Sequence, residues 1–425
     1  MYIKEILDNG IRVVMENIPY VNSISVGVFV NTGTKDESKD INGISHFIEH
    51  MVFKGTEKRT AKEIAEAIDN VGGQMNAFTG SEYTCFYIKV LDKHLQIAID
   101  ILSDMINNPK FSEEDIENEK KVVLEEIKMY LDSPEDIVFD MLHEIMFKDT
   151  PLSFPILGTE DTVSNINRKT LLDYYHNHYT SDNMVISVVG NFEYKEMMSI
   201  LNYYFCRNSS LKSKAAKKAY YLPRLEQGII SKQREFEQVS FCLGMEGIRR
   251  DSDDLYPLHL INNTFGGSMS SILFQKIREE KGLAYSVYSA PVSFQESGIF
   301  TIYAALGQEE ILNVAKLISD EIDVFKEKLM SKSELAKSKE QLKSNYILGM
   351  ESTFNRMLEI GKSELLLNEI LTPEDVLKKI DKVNMDDIER VARKVLDRNK
   401  FNIAYIGNIQ DSAFINDRLK EIFFN

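Results

Sequence analysis

Cysteine is scarce in this sequence of 425 residues, which contains only Cys85, Cys206 and Cys242. The three thiols are odd in number and lie far apart along the chain. Such usage offers neither a disulfide framework nor a thiolate cluster for a metal, and it is typical of proteins from a reducing compartment. We expect all three cysteines to be buried or half-buried core residues.

The chain also lacks a long apolar run near its start. Residues 1–15 alternate apolar and polar side chains and include Lys4, Glu5, Asp8 and Arg12. A signal peptide or a membrane span needs an uninterrupted apolar segment, which this stretch does not contain. The sequence therefore predicts a cytoplasmic protein with no membrane partner.

Positive charge is in deficit, because 50 Lys and Arg residues face 66 Asp and Glu residues for a net charge of −16. A protein of this sign repels phosphate backbones, which argues against nucleic acid as a partner. Basic peptides are compatible with it. The composition otherwise shows no bias towards disorder or fibres, since 43% of the residues are hydrophobic and 27% are charged.

The two halves of the chain resemble each other. At a shift of 217 residues, which aligns Ser23 with Ser240, three separated segments match in type. The pairs are 21–27 with 238–244, Asn167 with Asn384, and 184–191 (MVISVVGN) with 401–408 (FNIAYIGN). Unrelated α/β domains could share one such likeness by chance, but a constant offset over three segments favours an internal duplication.

The length and the duplication together predict two domains of roughly 200 residues each. The polar, basic stretch between Cys206 and Arg224 is the expected join, which gives domains at 1–208 and 222–425 and a linker at 209–221. Each half mixes short strands with longer amphipathic helices. We therefore predict an α+β fold of two homologous α/β sandwich domains, with helices packed on mixed, mainly antiparallel sheets.

Two of the seven histidines lie in the segment 46–50, HFIEH. Asn42 is a suitable N-cap and Gly55 a suitable stop, so this segment is predicted to be helical. On a helix, His46 and His50 project from one face about one turn apart, and both can reach a single tetrahedral Zn²⁺ at roughly 2.0–2.1 Å.

Glu49 gives this segment the reversed zinc-peptidase order, HxxEH. In such sites the metal acidifies and positions a water molecule, and the glutamate takes its proton and returns it to the leaving amine. The alternative is that both histidines merely pack on a buried helix while Glu49 faces solvent. We disfavour it because the apolar residues of this helix leave little surface for three such side chains.

A catalytic zinc needs a third protein ligand, and an acid-rich helix is the best source. It is predicted to begin near Ser112, with Asp115 completing a capping box. One face carries Ile116, Glu119, Val123, Glu126 and Tyr130. Two glutamates on a partly apolar face suggest Glu126 as the ligand and Glu119 as an acceptor that orients a histidine. The alternative is an ordinary helix whose glutamates are all solvated.

At these motifs the sequence resembles the pitrilysin/insulinase family of zinc peptidases, and within it the single-length bacterial members similar to mitochondrial processing peptidase. The resemblance covers essentially the whole chain. The family pattern is HxxEH followed about seventy-five residues later by a glutamate in a segment like VLEEI, which matches 123–127 here. It implies one zinc per chain held by His46, His50 and Glu126, with Glu49 as the base and Glu119 as the supporting acid.

The second half lacks these ligands. At the 217 shift, Asn263, Gly266 and Gly267 stand opposite His46, Glu49 and His50. Lys343 stands opposite Glu126. The resemblance implies a different role for this half, in which Arg278 and Tyr285 hold the carbonyl and backbone of a substrate near the zinc. The alternative is a surface arginine and a core tyrosine.

A short strand near residue 76 is predicted to pair with 83–90 through a turn. The resemblance implies that this strand is an exposed edge that a substrate joins, with Asn76, Ala77 and Phe78 as binding residues. A plain hairpin fits the local sequence equally well.

These features predict a zinc metalloendopeptidase that hydrolyses short or unfolded polypeptides inside a clamshell chamber. The resemblance also implies assembly, because longer members fuse two such halves. A half-length chain would pair as a homodimer in which Arg278 and Tyr285 of one copy complete the zinc site of the other. Two alternatives remain: a non-catalytic assembly subunit of a processing complex, and a zinc hydrolase acting on small molecules.

Overall fold

A computed structural model describes residues 2–206 and 226–424. Within them the strands are β1 (Ile3–Ile6), β2 (Arg12–Asn17), β3 (Ser23–Val30), β4 (Gln74–Thr79), β5 (Thr84–Leu91), β6 (Met184–Gly190), β7 (Gly228–Gln233), β8 (Val239–Glu246), β9 (Ala284–Ser293), β10 (Gly298–Leu306) and β11 (Asn402–Gly407).

The α-helices of the same residues follow in chain order, and the segments Asn202–Cys206 and Phe274–Glu279 are π-helical. The α-helices are α1 (Ile44–Val52), α2 (Ala61–Asp69), α3 (Leu95–Asn107), α4 (Glu113–Tyr130), α5 (Pro134–Met146), α6 (Glu160–Ser164), α7 (Arg168–His178), α8 (Tyr194–Leu201), α9 (Leu255–Phe265), α10 (Ile311–Lys328), α11 (Lys332–Gly349), α12 (Thr353–Leu367), α13 (Pro373–Lys382), α14 (Met385–Val395) and α15 (Ser412–Phe423).

The chain forms two compact units, each built around one sheet. The first sheet has the strand order β1-β2-β6-β3-β5-β4, and the second has the order β7-β11-β8-β10-β9. In each sheet one pair is parallel, β2 with β6 and β7 with β11, and the other neighbours are antiparallel. The predicted α+β class with mixed, mainly antiparallel sheets is confirmed.

Without β1, the two sheets repeat one topology strand for strand, as an internal duplication requires. The resemblance extends to helix caps. The side chain of Asn167 accepts a hydrogen bond from the Thr170 amide at the start of α7, and Asn384 does the same for Asp387 at the start of α14. Both asparagines occupy the N-cap, which satisfies an amide that the first helical turn leaves free.

The compact units are not the two contiguous halves of the chain. The first contains residues 2–128, 154–206 and 347–372 of the described part, and the second contains 129–153, 226–346 and 373–424. Helix α5 from the first half thus packs on the second sheet, and α12 from the second half packs on the first. The predicted linker at 209–221 lies outside the described residues.

Glycines let these two helices approach their sheets. A side chain at Gly27 of β3 would collide with the sulfur of Met357 on α12. A side chain at Gly244 of β8 would collide in the same way with Met146 on α5. These glycines are the matching residues of the 217 shift, so both halves kept the residue that the close helix contact requires.

The cysteine prediction is confirmed, since Cys85 and Cys242 are buried, Cys206 is half-buried and all three are free thiols. Among the described helices, none has the length and hydrophobicity needed to cross a bilayer. The cytoplasmic location stays a prediction.

Candidate metal centre

Helix α1 of the first unit carries the HFIEH segment. It covers Ile44–Val52 and begins after Gly43, whose φ of 91° lies in the left-handed region that favours glycine. Five apolar side chains of the helix have no exposed surface and anchor it in the core: Ile44, Phe47, Ile48, Met51 and Val52. The remaining faces of the helix are left for the histidines and Glu49.

The start of α1 is capped from outside the helix. The buried carboxylate of Glu37 accepts hydrogen bonds from the amides of Gly43 at 2.8 Å and Ser45 at 2.9 Å. It also accepts one from the Asn42 side chain at 2.8 Å. The prediction of Asn42 as the N-cap is therefore wrong, because Glu37 satisfies the free amides of the first turn and Asn42 orients Glu37.

The two histidines of α1 face the same way. Their ring centroids are 4.6 Å apart, as expected for residues one helical turn apart. His46 is buried, with 7% of its surface exposed, and His50 is half-buried. Burial, and then the neighbouring His50, lower the pKa of His46 to about 3. His46 is thus neutral at physiological pH, which is the form that binds metals.

Helix α4 presents the predicted acids. Its first turn is capped by Ser112, whose hydroxyl oxygen accepts a hydrogen bond from the Asp115 amide at 3.1 Å. In a capping box the Asp115 carboxylate would accept a hydrogen bond from the Ser112 amide. Here it accepts one from the Ser112 hydroxyl instead, so the predicted capping box forms only in part. Further along, Glu119 is buried and Glu126 is half-buried.

The two helices bring His46, His50 and Glu126 together. Glu126 Oε1 lies 3.8 Å from His46 Nε2, and Glu126 Oε2 lies 3.4 Å from His50 Nε2. One ligand atom from each of the three residues lies within 4.8 Å of the others. In the part of the chain that the structure describes, no other set of three metal-binding side chains converges in this way.

This donor set fits a zinc ion. Nitrogen–oxygen separations of 3.4 and 3.8 Å exceed those of ordinary hydrogen bonds. They suit atoms that share one ion, because tetrahedral ligands at about 2.0–2.1 Å from zinc lie about 3.4 Å apart. Two imidazoles and one carboxylate also form the ligand chemistry of catalytic zinc sites, which leave a fourth position open.

A second carboxylate fixes the orientation of His50. Glu119 Oε1 lies 2.8 Å from His50 Nδ1, and Glu119 Oε2 lies 2.5 Å from Lys54 Nζ. Burial alone would raise the pKa of Glu119, but the bonds to His50 and Lys54 hold it below its ordinary value. Because the ionised carboxylate accepts the Nδ1 proton, the Nε2 lone pair of His50 is free for a metal.

Glu49 lies beside the two histidines and faces the end of the edge strand. It is half-buried, and burial raises the pKa of its carboxyl group. The hydroxyl of Thr79, the last residue of β4, donates a hydrogen bond to Glu49 Oε2 at 2.5 Å. Glu49 thus lies in the first unit, as the donor set does, and directly precedes His50 in the chain.

The predicted substrate strand is an edge of the first sheet. Strand β4 is the terminal strand in the described sheet and pairs with β5 over its whole length. Along it Asn76 is exposed, Ala77 is buried and Phe78 is half-buried. Its outer backbone groups therefore belong to a sheet edge, which is the geometry that β-augmentation uses.

The second unit brings Arg278 and Tyr285 together. The guanidinium carbon of Arg278 lies 5.8 Å from the centroid of the Tyr285 ring and 4.9 Å from that of Phe274. Tyr285 has 73% of its surface exposed, so the alternative of a core tyrosine is wrong. Both side chains are accessible on the surface of this unit.

The second unit has no counterpart of the donor set among its described residues. Asn263, at the position of His46, donates its amide to Ser338 and Gln341. Lys343, at the position of Glu126, is paired with Glu340 and Asp381. The counterpart of the metal centre has become a network of neutral hydrogen bonds and ion pairs.

Three contacts of the candidate site are not predicted from the sequence: the cap from Glu37, the ion pair of Lys54 with Glu119 and the hydrogen bond from Thr79. Lys54 lies four residues after His50, just beyond the end of α1 at Val52, so the helical spacing places it near His50 but does not identify Glu119 as its partner. Glu37 and Thr79 lie on other elements, and no spacing rule connects them to α1.

Two family models match the chain. That of the insulinase family, peptidase family M16, matches residues 12–160, and that of the peptidase M16 inactive domain matches residues 165–342. The first match contains the whole donor set together with Glu49, and the second contains Arg278 and Tyr285. In this respect the two family models agree with the structure: among the described residues, the metal-binding group lies in the first unit and has no counterpart in the second.

Curated relatives cover nearly the whole chain. YmxG of Bacillus subtilis (strain 168), named as an uncharacterized zinc protease, is 42% identical over 91% of this chain and 94% of its own. A protein of Streptomyces coelicolor with the same description is 38% identical over 95% of this chain and 89% of its own.

Solved structures share the fold. A protease from Helicobacter pylori superposes with a TM-score of 0.91 at 21% identity, over 96% of this chain and 99% of that one. A peptidase M16 inactive domain from Pseudomonas fluorescens has a TM-score of 0.89 at 18% identity, over 96% of this chain and 98% of that one.

The family matches and the long alignments at about 40% identity agree with the motifs of the sequence. The chain belongs to the insulinase family of peptidases, family M16.

Proposed function

We propose that this protein is a zinc-dependent metalloendopeptidase that cleaves short or unfolded polypeptides. The observation that carries the proposal is the convergence of His46, His50 and Glu126 beside the carboxylate of Glu49. Relatives named zinc proteases support zinc as the metal. The single donor set among the described residues supports one ion per chain.

A zinc ion held by this donor set supplies a Lewis acid that polarises the scissile carbonyl group and acidifies water. The chain supplies the rest. Glu49 takes the proton of the attacking water and passes it to the leaving amine. Glu119 keeps His50 in the tautomer that leaves Nε2 free, and Lys54 keeps Glu119 ionised. In this proposal Arg278 and Tyr285 hold the substrate carbonyl and backbone, since a cation and a phenol stabilise a developing oxyanion.

The edge strand supports an extended peptide as the substrate. A polypeptide that adds to β4 would form backbone hydrogen bonds along Asn76, Ala77 and Phe78. Backbone pairing depends little on side chains and requires a segment free of its own structure. This favours unfolded or short peptides over folded proteins and over small amides.

The experiment is to purify the protein, measure its zinc content and follow hydrolysis of an unstructured peptide library by mass spectrometry. We expect about one zinc per chain, internal cleavage of peptides, loss of cleavage with a chelator and its return with Zn²⁺. A small amide should compete poorly with peptides. Cleavage that survives complete metal removal would contradict the proposal. Protein that contains no metal and cleaves nothing would favour a non-catalytic assembly subunit.

We also propose that two copies pair and form composite sites in an enclosed chamber. The donor set belongs to the first unit, while Arg278 and Tyr285 are exposed on the second, where they are available to another copy. In a two-fold dimer, each copy would contribute its arginine and tyrosine to the site of its partner.

Mixing inactive variants tests this arrangement. Glu49→Gln and Arg278→Ala variants should each be weak, and their equimolar mixture should recover roughly a quarter of wild-type activity. The reason is that half of the randomly paired dimers contain one intact site out of two. Subunit exchange is verified with two differently tagged copies. If exchange occurs and the mixture stays as inactive as its components, the sites are formed within single chains.

A further inference from the structure

We propose that Thr79 is the positioning residue for Glu49, through which the edge strand β4 controls the catalytic base. This inference rests on the proposed peptidase function. The hydroxyl of Thr79 donates to Glu49 Oε2 at 2.5 Å, a distance typical of a strong bond to an ionised carboxylate. Among the described residues no hydrogen bond joins Thr79 to the donor set, so we argue that it acts on the reaction through Glu49.

Glu49 depends on this one contact. Among the residues that the structure describes, no second hydrogen-bond donor to the Glu49 carboxylate is present. A glutamate side chain has several rotatable bonds, and a half-buried one without a partner samples several rotamers. The Thr79 bond therefore selects the Glu49 rotamer that the structure shows.

The hairpin that contains Thr79 directs its proton to Glu49. Thr79 of β4 and Thr84 of β5 stand opposite each other where the hairpin closes. The Thr84 hydroxyl donates to the Thr32 carbonyl at 3.0 Å, and its oxygen lies 3.5 Å from that of Thr79. Because the proton of Thr84 is committed to Thr32, Thr84 could only accept a proton from Thr79. At 3.5 Å its neutral oxygen is a much weaker acceptor than Glu49 Oε2 at 2.5 Å, so the Thr79 proton stays on the bond to Glu49.

The strand backbone sets the position of that hydroxyl. Threonine is branched at Cβ and stiff about χ1, so its oxygen follows the backbone closely. The backbone is that of β4, an edge strand paired with β5 alone among the described strands. A peptide that adds to β4 holds the strand on its second side. Substrate pairing thereby steadies Thr79 and, through it, the base.

Steady-state kinetics of the zinc-loaded protein test the inference. Thr79→Val keeps the shape and removes the hydroxyl, and it should lower kcat by about tenfold to a hundredfold, as expected when a catalytic group is misplaced. KM and zinc content should stay within about twofold of wild type, because the β4 backbone and the donor set are unchanged. Thr79→Ser retains the hydroxyl and should restore most of the rate. If Thr79→Val fails to fold, Thr79→Ala takes its place against Thr79→Ser.

A matched control is Thr301→Val in the second unit. Thr301 is the counterpart of Thr84 at the 217 shift, is buried on β10, and donates its hydroxyl to the Ala290 carbonyl at 3.1 Å. The same chemical change there should leave kcat unaltered. An equal loss of kcat in both variants, or a loss in Thr79→Ser as large as that in Thr79→Val, would overturn the inference.

A double-variant cycle separates positioning from general structure. If Thr79 acts through Glu49, adding Thr79→Val to Glu49→Gln should cause little further loss of residual activity. Fully additive losses would refute the link. A crystal structure of Thr79→Val decides the point even if the wild-type protein cleaves no peptide and the proposed function fails. We expect the Glu49 carboxylate in a different rotamer or in several, and an unmoved carboxylate would overturn the inference.

Discussion

Replacement of Glu49 by glutamine should leave zinc bound and slow peptide hydrolysis by about a hundredfold or more. Glutamine has the shape of glutamate, and its amide oxygen can still accept the Thr79 hydroxyl proton that Glu49 Oε2 accepts now. It cannot take a proton from water at neutral pH, so the proposed general base is lost while the site is otherwise intact. Parallel measurements of kcat and of zinc content by elemental analysis check both halves of this expectation.

The control for this change is Glu66→Gln on α2. Glu66 is exposed and forms a loose ion pair with Lys62 at 3.5 Å, so the same loss of one charge there should leave kcat unchanged. Turnover near the wild-type rate in Glu49→Gln would show that another group is the base. Loss of zinc together with activity would instead show that Glu49 helps to bind the metal.

Local spacing explains why much of the site could be predicted from the sequence. His46, Glu49 and His50 lie on one short helix, where the period of the helix dictates which side chains share a face. Glu126 lies 76 residues beyond His50, and no periodicity connects two separate helices. Two other signals indicate Glu126: its carboxylate lies on a partly apolar helix face, which is unusual, and it matches the glutamate of the family pattern.

Contacts between elements could not be predicted in this way. Glu37 caps α1 from a preceding turn, and Thr79 reaches Glu49 from a strand 30 residues later. The packing of α5 and α12 is a similar case, because an amphipathic pattern shows that one face is buried but not which sheet covers it. The contiguous domains predicted from the sequence therefore differ from the observed units in these helices.

The duplicated fold also shows why one topology carries a metal-binding group in only one described unit. Gly266 and Gly267 stand where Glu49 and His50 stand in the first unit. The Ser289 amide of β9 donates to the Gly266 carbonyl at 3.2 Å, and a side chain at Gly266 would collide with Ser289. Strand β9 packs directly against this position, so the second unit has no room there for a side chain such as that of Glu49.

Removal of the Glu126 carboxylate should empty the metal site. Glu126 would supply the negative charge among the three proposed ligands, since histidines bind metals as neutral imidazoles. Glu126→Gln keeps the side-chain length but lacks that charge. We expect the zinc affinity to fall by more than about a hundredfold, which exceeds the loss typical when a residue that hydrogen-bonds to a metal ligand is replaced. Competition with a chelating dye measures this affinity without any assay of activity.

The adjacent residue offers a matched control on the same helix. Glu125 is 70% exposed at its side chain and pairs with Lys128 at 2.7 Å, so it faces away from the donor set. Glu125→Gln makes the same chemical change one residue away and should bind zinc as tightly as the wild type. Equal affinities in Glu125→Gln and Glu126→Gln would show that the third ligand is elsewhere. Because Glu119 remains bonded to His50 in both variants, a selective loss in Glu126→Gln reports on the ligand itself and not on the orientation of the histidine.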